Sequence, residues 1–91
     1  MTNFLAMMTL YYMCDQAAAF RGLTPDEVTN CMANYERMKL EFIDERPAAL
    51  GSAERAKQIR LGYRGFKAWE AANPELVLQM RQEARIALGL G

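Results

Sequence analysis

The sequence predicts an all-α domain: a compact set of four helices built on an antiparallel hairpin of the first two. Three observations carry that expectation. Helix-start punctuation recurs at Thr24-Pro25, at Ser52 and at Asn73-Pro74. Each is a capping residue, and two are followed by proline at the first helical position. Apolar residues recur at 3-4-3-4 spacing, the period of a helix and not of a strand. The stretches between are short, which places consecutive helices side by side and antiparallel. A chain of 91 residues has room for one core, so residues 1–91 are read as a single domain.

The first helix is expected near 3–20. Residues 4–14 are apolar except for Thr9, and Asp15 and Gln16 end the run. That is short of the roughly 20 residues of a membrane span. Ala17-Ala18-Ala19 imitates a signal-peptide cleavage site, but Met1-Thr2-Asn3 lacks the basic n-region. The expected compartment is the cytoplasm, or the periplasm or exterior if the cysteines are bridged. Because Phe4, Leu5, Met8, Tyr11, Tyr12 and Met13 leave almost no polar face, either the other three helices enclose this helix or part of it is a candidate interface with another chain. Aromatic residues and Met are enriched at interface cores, so Phe4, Met8, Tyr11 and Tyr12 are the candidates.

The second helix is expected near 25–45. Thr24-Pro25-Asp26-Glu27 reads as a capping box, and Arg46-Pro47 is expected to close the helix. Its stripe Val28, Cys31, Tyr35, Met38 and Phe42 matches Met7, Leu10, Cys14 and Ala17 of the first helix. Folding at Gly22-Leu23 sets Ala17 against Val28, Cys14 against Cys31, Leu10 against Tyr35 and Met7 against Met38. Cys14 and Cys31 thus meet in the seam, either as two reduced thiols, the favoured reading, or as a disulfide. Two cysteines with no histidine in the chain are too few for a metal site.

The third helix is expected near 52–72 and combines Arg55, Lys57, Arg60, Arg64 and Lys67 with Ile59, Tyr63, Phe66 and Trp69. Such a basic stripe beside aromatics suits an acidic protein partner or a polyanion, and equally a plain solvated face. Gly62 and Gly65 inside it signal a close helix approach, a kink, or two shorter helices. The fourth helix is expected near 74–88, with Gly89 as a left-handed C-terminal cap.

Eleven basic and eleven acidic residues cancel overall. The cancellation is uneven: residues 1–54 carry a balance of −4 and residues 55–91 a balance of +4. The absence of His removes the triad and metalloprotease arrangements, and no phosphate loop or paired-carboxylate pattern replaces them. The sequence therefore points to a small non-enzymatic protein–protein interaction module, an adaptor, inhibitor or assembly component, without a cofactor. Seven Met suit an adaptable binding surface and equally an ordinary plastic core, and the partner is expected to be another protein or a second copy of the chain. Nucleic-acid or polyanion binding through the third helix is one alternative, and a disulfide-stapled extracytoplasmic domain is another.

Overall fold

The computed structural model describes residues 2–90. Four helices follow one another: α1 (Thr2–Phe20), α2 (Pro25–Leu40), α3 (Ala53–Ala72) and α4 (Pro74–Ala87). There is no strand among the described residues.

Local chemistry sets most of the helix ends. Thr24 Oγ1 accepts from the Glu27 N–H at 3.2 Å, and Glu27 Oε1 accepts from the Thr24 N–H at 2.9 Å. This reciprocal box fixes the start of α2. Arg21 hydrogen-bonds the same Glu27 carboxylate and, with the Thr24 N–H, holds its pKa down at about 2. Ser52 caps α3 by accepting from the Arg55 N–H at 3.0 Å. Gly89, at φ 73°, ends α4 as expected: the Leu90 N–H donates to the Arg85 carbonyl and the Gly89 N–H to that of Ile86. Asn73 departs from expectation. Its side chain donates back to the Trp69 carbonyl at 2.8 Å, closing α3 instead of opening α4.

The second helix is shorter than expected, stopping at Leu40 and not at Glu45. Its end tightens into i→i+3 bonds from Glu41 to Met38 and from Phe42 to Lys39. Glu41, Asp44 and Glu45 would add negative charge to the negative end of a longer helix, which disfavours continuation. Phe42 instead turns inward to meet Phe4 and Phe66.

The hairpin of α1 and α2 forms with Cys14 and Cys31 opposed, and the two are joined as a disulfide with Cα atoms 6.0 Å apart. That corrects the expectation of free thiols: the helices pack closely enough at this level for the bond. The rest of the predicted seam is only partly buried. Ala17 and Met38 are enclosed, but Leu10 is 42% and Val28 39% exposed, and Tyr35 stacks on Tyr11 rather than Leu10. The core is Met8, Tyr12, Met38, Phe66, Val77 and Ala84. The buried line of α1 is turned away from the α2 seam because α3 and α4 also pack on this helix.

The remaining packing is not the expected alternation of antiparallel neighbours. From α2 into the start of the connection, Glu36, Lys39 and Phe42 meet Arg55, Gly62 and Gly65, so the numbers rise together. Likewise Tyr12 and Phe20 of α1 meet Arg81 and Arg85 of α4. A connection over 41–52, longer than the predicted loop, permits this. Gln58, only 3% exposed, secures it by donating to the Arg46 carbonyl (3.1 Å) and accepting from the Ala48 N–H (2.8 Å).

Gly62 and Gly65 mark a close approach, and α3 runs unbroken through both. A Cβ at position 62 would lie 2.6 Å from the Lys39 carbonyl carbon and nearer still to its oxygen. At position 65 it would lie 2.7 Å from the Phe42 Cβ. Gly62→Ala is therefore expected to lower stability by about 1–3 kcal/mol, because backbone must move. That outweighs the roughly 1 kcal/mol of helix propensity that Ala supplies. Gly65→Ala should cost less, since its overlap with the Phe42 Cβ is smaller and the backbone that must carry Phe42 away lies past the end of α2. Urea denaturation midpoints of the two variants test the order. Reduction of the disulfide, which closes a segment of 17 residues, should cost about 3 kcal/mol. Melts with and without a dithiol reductant measure it.

Candidate functional site

The sequence offered two surfaces, and the structure separates them. On α1, Met8 and Tyr12 are fully buried, and Phe4 and Tyr11 are packed against the core. Tyr11 lies 5.0 Å from the Phe66 ring and 5.1 Å from Tyr35, while Phe4 meets Phe42 at 5.7 Å and Trp69 at 6.0 Å. Of the four interface candidates, Met8 and Tyr12 are thus enclosed within the domain and Phe4 and Tyr11 are half-buried against its core. Helices α3 and α4, with Phe42, cover much of what one seam with α2 leaves open, so Met8 and Tyr12 belong to the core and Phe4 and Tyr11 to its margin.

The third helix keeps its basic face, with two members withdrawn. Gln58, Gly62 and Phe66 form its buried line. At 3.6 residues per turn, Lys57, Arg60 and Arg64 fall on the opposite face. All three are exposed, and none makes an ion pair among the described residues. Leu61, 42% exposed, and Tyr63, 46% exposed, flank them. Arg55 is held elsewhere: it pairs with Glu36 at 2.8 Å and donates to the Ala48 carbonyl at 2.8 Å. Lys67 pairs with Glu70 at 2.9 Å, which raises its pKa through that hydrogen bond. The available surface is therefore a line of three cations with an aromatic and an aliphatic neighbour.

A polar centre around Glu70 was not visible in the sequence. Tyr12 Oη donates to Glu70 Oε2 at 2.7 Å, and Lys67 holds Oε1. Arg81 of α4 approaches Glu70 at 3.8 Å and Asp15 at 3.9 Å. One mostly buried carboxylate thereby joins side chains from α1, α3 and α4. Only the spacing of Lys67 and Glu70, three residues apart, hinted at any of it.

No group of His, Cys, Asp or Glu suited to hold a metal ion occurs among the described residues. No described helix is long and apolar enough to cross a membrane. Comparison with protein-family models, curated proteins and solved structures finds no match to this chain.

The buried tyrosines make the fold sensitive to alkali. Burial is the main cause that raises the Tyr12 pKa, assisted by its hydrogen bond to Glu70. Burial likewise raises Tyr11, with Tyr35 adding to it, and raises Tyr35 itself. Above the ordinary phenol value of about 10, the unfolded chain loses protons that the folded chain keeps. Stability is then present below that pH and lost as pH rises beyond it. Lys67, also raised, acts in the same direction, while Lys39, lowered by burial, opposes it. Melting temperature should fall steeply above about pH 10. The phenolate absorbance owed to Tyr11, Tyr12 and Tyr35 should rise together with unfolding and not before it; early, gradual ionisation of these three would contradict this account.

Proposed function

We propose that this chain is a non-enzymatic interaction module that engages an acidic protein partner through the outer face of α3. One observation carries the reading: Lys57, Arg60 and Arg64 stand in line and exposed, without ion pairs among the described residues. Other cations of the second half are used internally, Arg55 with Glu36 and Arg81 with Asp15 and Glu70. Exposed Tyr63 and Leu61 supply apolar contact beside the charge. Aromatic and Arg side chains of this kind anchor protein interfaces. The same charge would attract a nucleic-acid backbone, so that is the second reading.

A second copy of the chain is one acidic partner within reach of this reading, through exposed Glu41, Asp44 and Glu45. Sedimentation at low salt separates a second copy from a foreign partner.

The deciding experiment measures binding of a short Glu-rich peptide and of an oligothymidylate by fluorescence anisotropy across salt concentrations. Binding of the peptide should weaken with salt. It should fall about tenfold in the Arg60→Glu/Arg64→Glu double variant, corresponding to about 1.4 kcal/mol. Both residues are exposed, so the variant should keep its helical circular dichroism. No peptide binding at low salt would sink the proposal. Tighter binding of the oligothymidylate would transfer the face to the polyanion reading.

A further inference from the structure

Three strips of different character run side by side along the outside of α3. The first belongs to the 41–52 connection. Its backbone passes Gly65, where an added Cβ would meet the Phe42 Cβ at 2.7 Å, and returns to Gln58, which donates to the Arg46 carbonyl at 3.1 Å. Asp44 and Glu45 lie between those two anchors, and so beside the middle of α3, at the height of Leu61. Leu61 comes next around the helix. At 3.6 residues per turn it stands about 40° from Gly65 and about 40–60° from Lys57 and Arg64. Ala68, two turns further on, continues its line. Lys57 and Arg64 form the third strip, with Arg60 behind them. The order is acidic, apolar, basic.

Asp44, Glu45, Lys57, Leu61, Arg64 and Ala68 are all exposed. Asp44 and Glu45, like the three cations, make no ion pair among the described residues. Glu41 belongs elsewhere, since it lines a groove with Ala6 and Met7 on the α1 side.

A surface ordered in this way is complementary to itself. Rotation about a two-fold axis through Leu61 sets the acidic strip of one copy against the basic strip of the other, and Leu61 against Leu61. A uniformly anionic partner laid across Leu61 would instead meet Asp44 and Glu45 with like charge. The formal net charge of the chain is zero, so two copies approach without overall repulsion. We infer that two copies of this chain associate face to face along α3, with Lys57 and Arg64 of each reaching Asp44 and Glu45 of the other. The inference rests on the reading of the basic line as a recognition surface, and names its partner.

Sedimentation equilibrium of the full chain tests it, beside two charge-reversed forms, Lys57→Glu/Arg64→Glu and Asp44→Lys/Glu45→Lys. At low salt the unaltered chain should form a dimer, which should dissociate near about 1 M salt, where the screening length is about 3 Å. Each reversed form should dimerise at least about tenfold more weakly, and an equimolar mixture should restore the dimer, because every pairing then joins opposite charges. All four altered residues are exposed, so helical circular dichroism should persist in both forms. Amide NMR shifts on dilution of the unaltered chain, which need no variant, should move at Asp44, Leu61 and Ala68. A chain that stays monomeric at low salt overturns the inference. So does a dimer that survives both reversals, that the mixture fails to restore, or whose dilution shifts lie away from α3. Binding of the Glu-rich peptide by a chain that stays monomeric would overturn this inference alone and leave the acidic-partner reading standing.

Discussion

The contact between Gly62 and the Lys39 carbonyl decides where α3 lies, and much of the interior follows from it. With no side chain at 62, α3 rests directly on the last turn of α2. One turn further along, Phe66 enters the space between Tyr11, Tyr35 and Phe42. One turn beyond that, Glu70 comes under Tyr12. Three successive helical turns of α3 thus present a bare backbone, a ring and a carboxylate to the rest of the domain. Any side chain at 62 would lift all three together, because the helix carries them as one rigid element.

Aromatic packing and polar pairing are coupled at that interface. Tyr12 is fully enclosed, yet its hydroxyl has a partner, so burying it does not incur the penalty of an unpaired donor. Glu70 in turn is tied by Lys67 and approached by Arg81, so its charge is not left alone in a poorly solvated place. The cation of Arg81 also lies 5.7 Å from the Tyr12 ring. Helix α4 is therefore attached by charge as well as by Val77 and Ala84. This explains how a helix joined to α3 through a single residue, Asn73, can run alongside α1.

What the sequence made legible was local. Thr24 with Glu27, Ser52 and Gly89 mark helix ends through bonds spanning three to five residues, and those bonds are present. The opposition of Cys14 and Cys31 was legible because a hairpin's register follows from its turn. The buried face of α1 was not, for a physical reason: a helix apolar on nearly every side carries no phase. Met7 and Leu10 fit a seam as well as Met8 and Tyr12 do, and the choice is made by α3 and α4. The early stop of α2 was equally hidden, since Pro47 constrains Arg46 and says nothing about Leu40. For the candidate site, the stripe of α3 was visible as a period. The withdrawal of Arg55 and Lys67 depended on Glu36, across a helix boundary, and on the burial of Glu70.

The uneven charge of the two halves gains meaning from those pairings. Asp15 and Glu36 of the acidic half face Arg81 and Arg55 of the basic half, so part of the asymmetry is satisfied within the molecule. Such partly exposed pairs contribute little, from nothing to about 1 kcal/mol each. Charge therefore orients the halves while apolar burial holds them. Lys57, Arg60 and Arg64 lie at i, i+3 and i+7 of one face, a spacing at which like charges repel by some tenths of a kcal/mol. Within α3 only Lys57 has a carboxylate at neighbouring spacing, Glu54 three residues before it, while Arg60 and Arg64 have none and Glu70 is turned inward. A carboxylate-bearing surface laid along this face would relieve it, with Tyr63 and Leu61 beside the charges to exclude water. The proposed interaction rests on that combination, which arises because Gly62 commits the other face of α3 to the core.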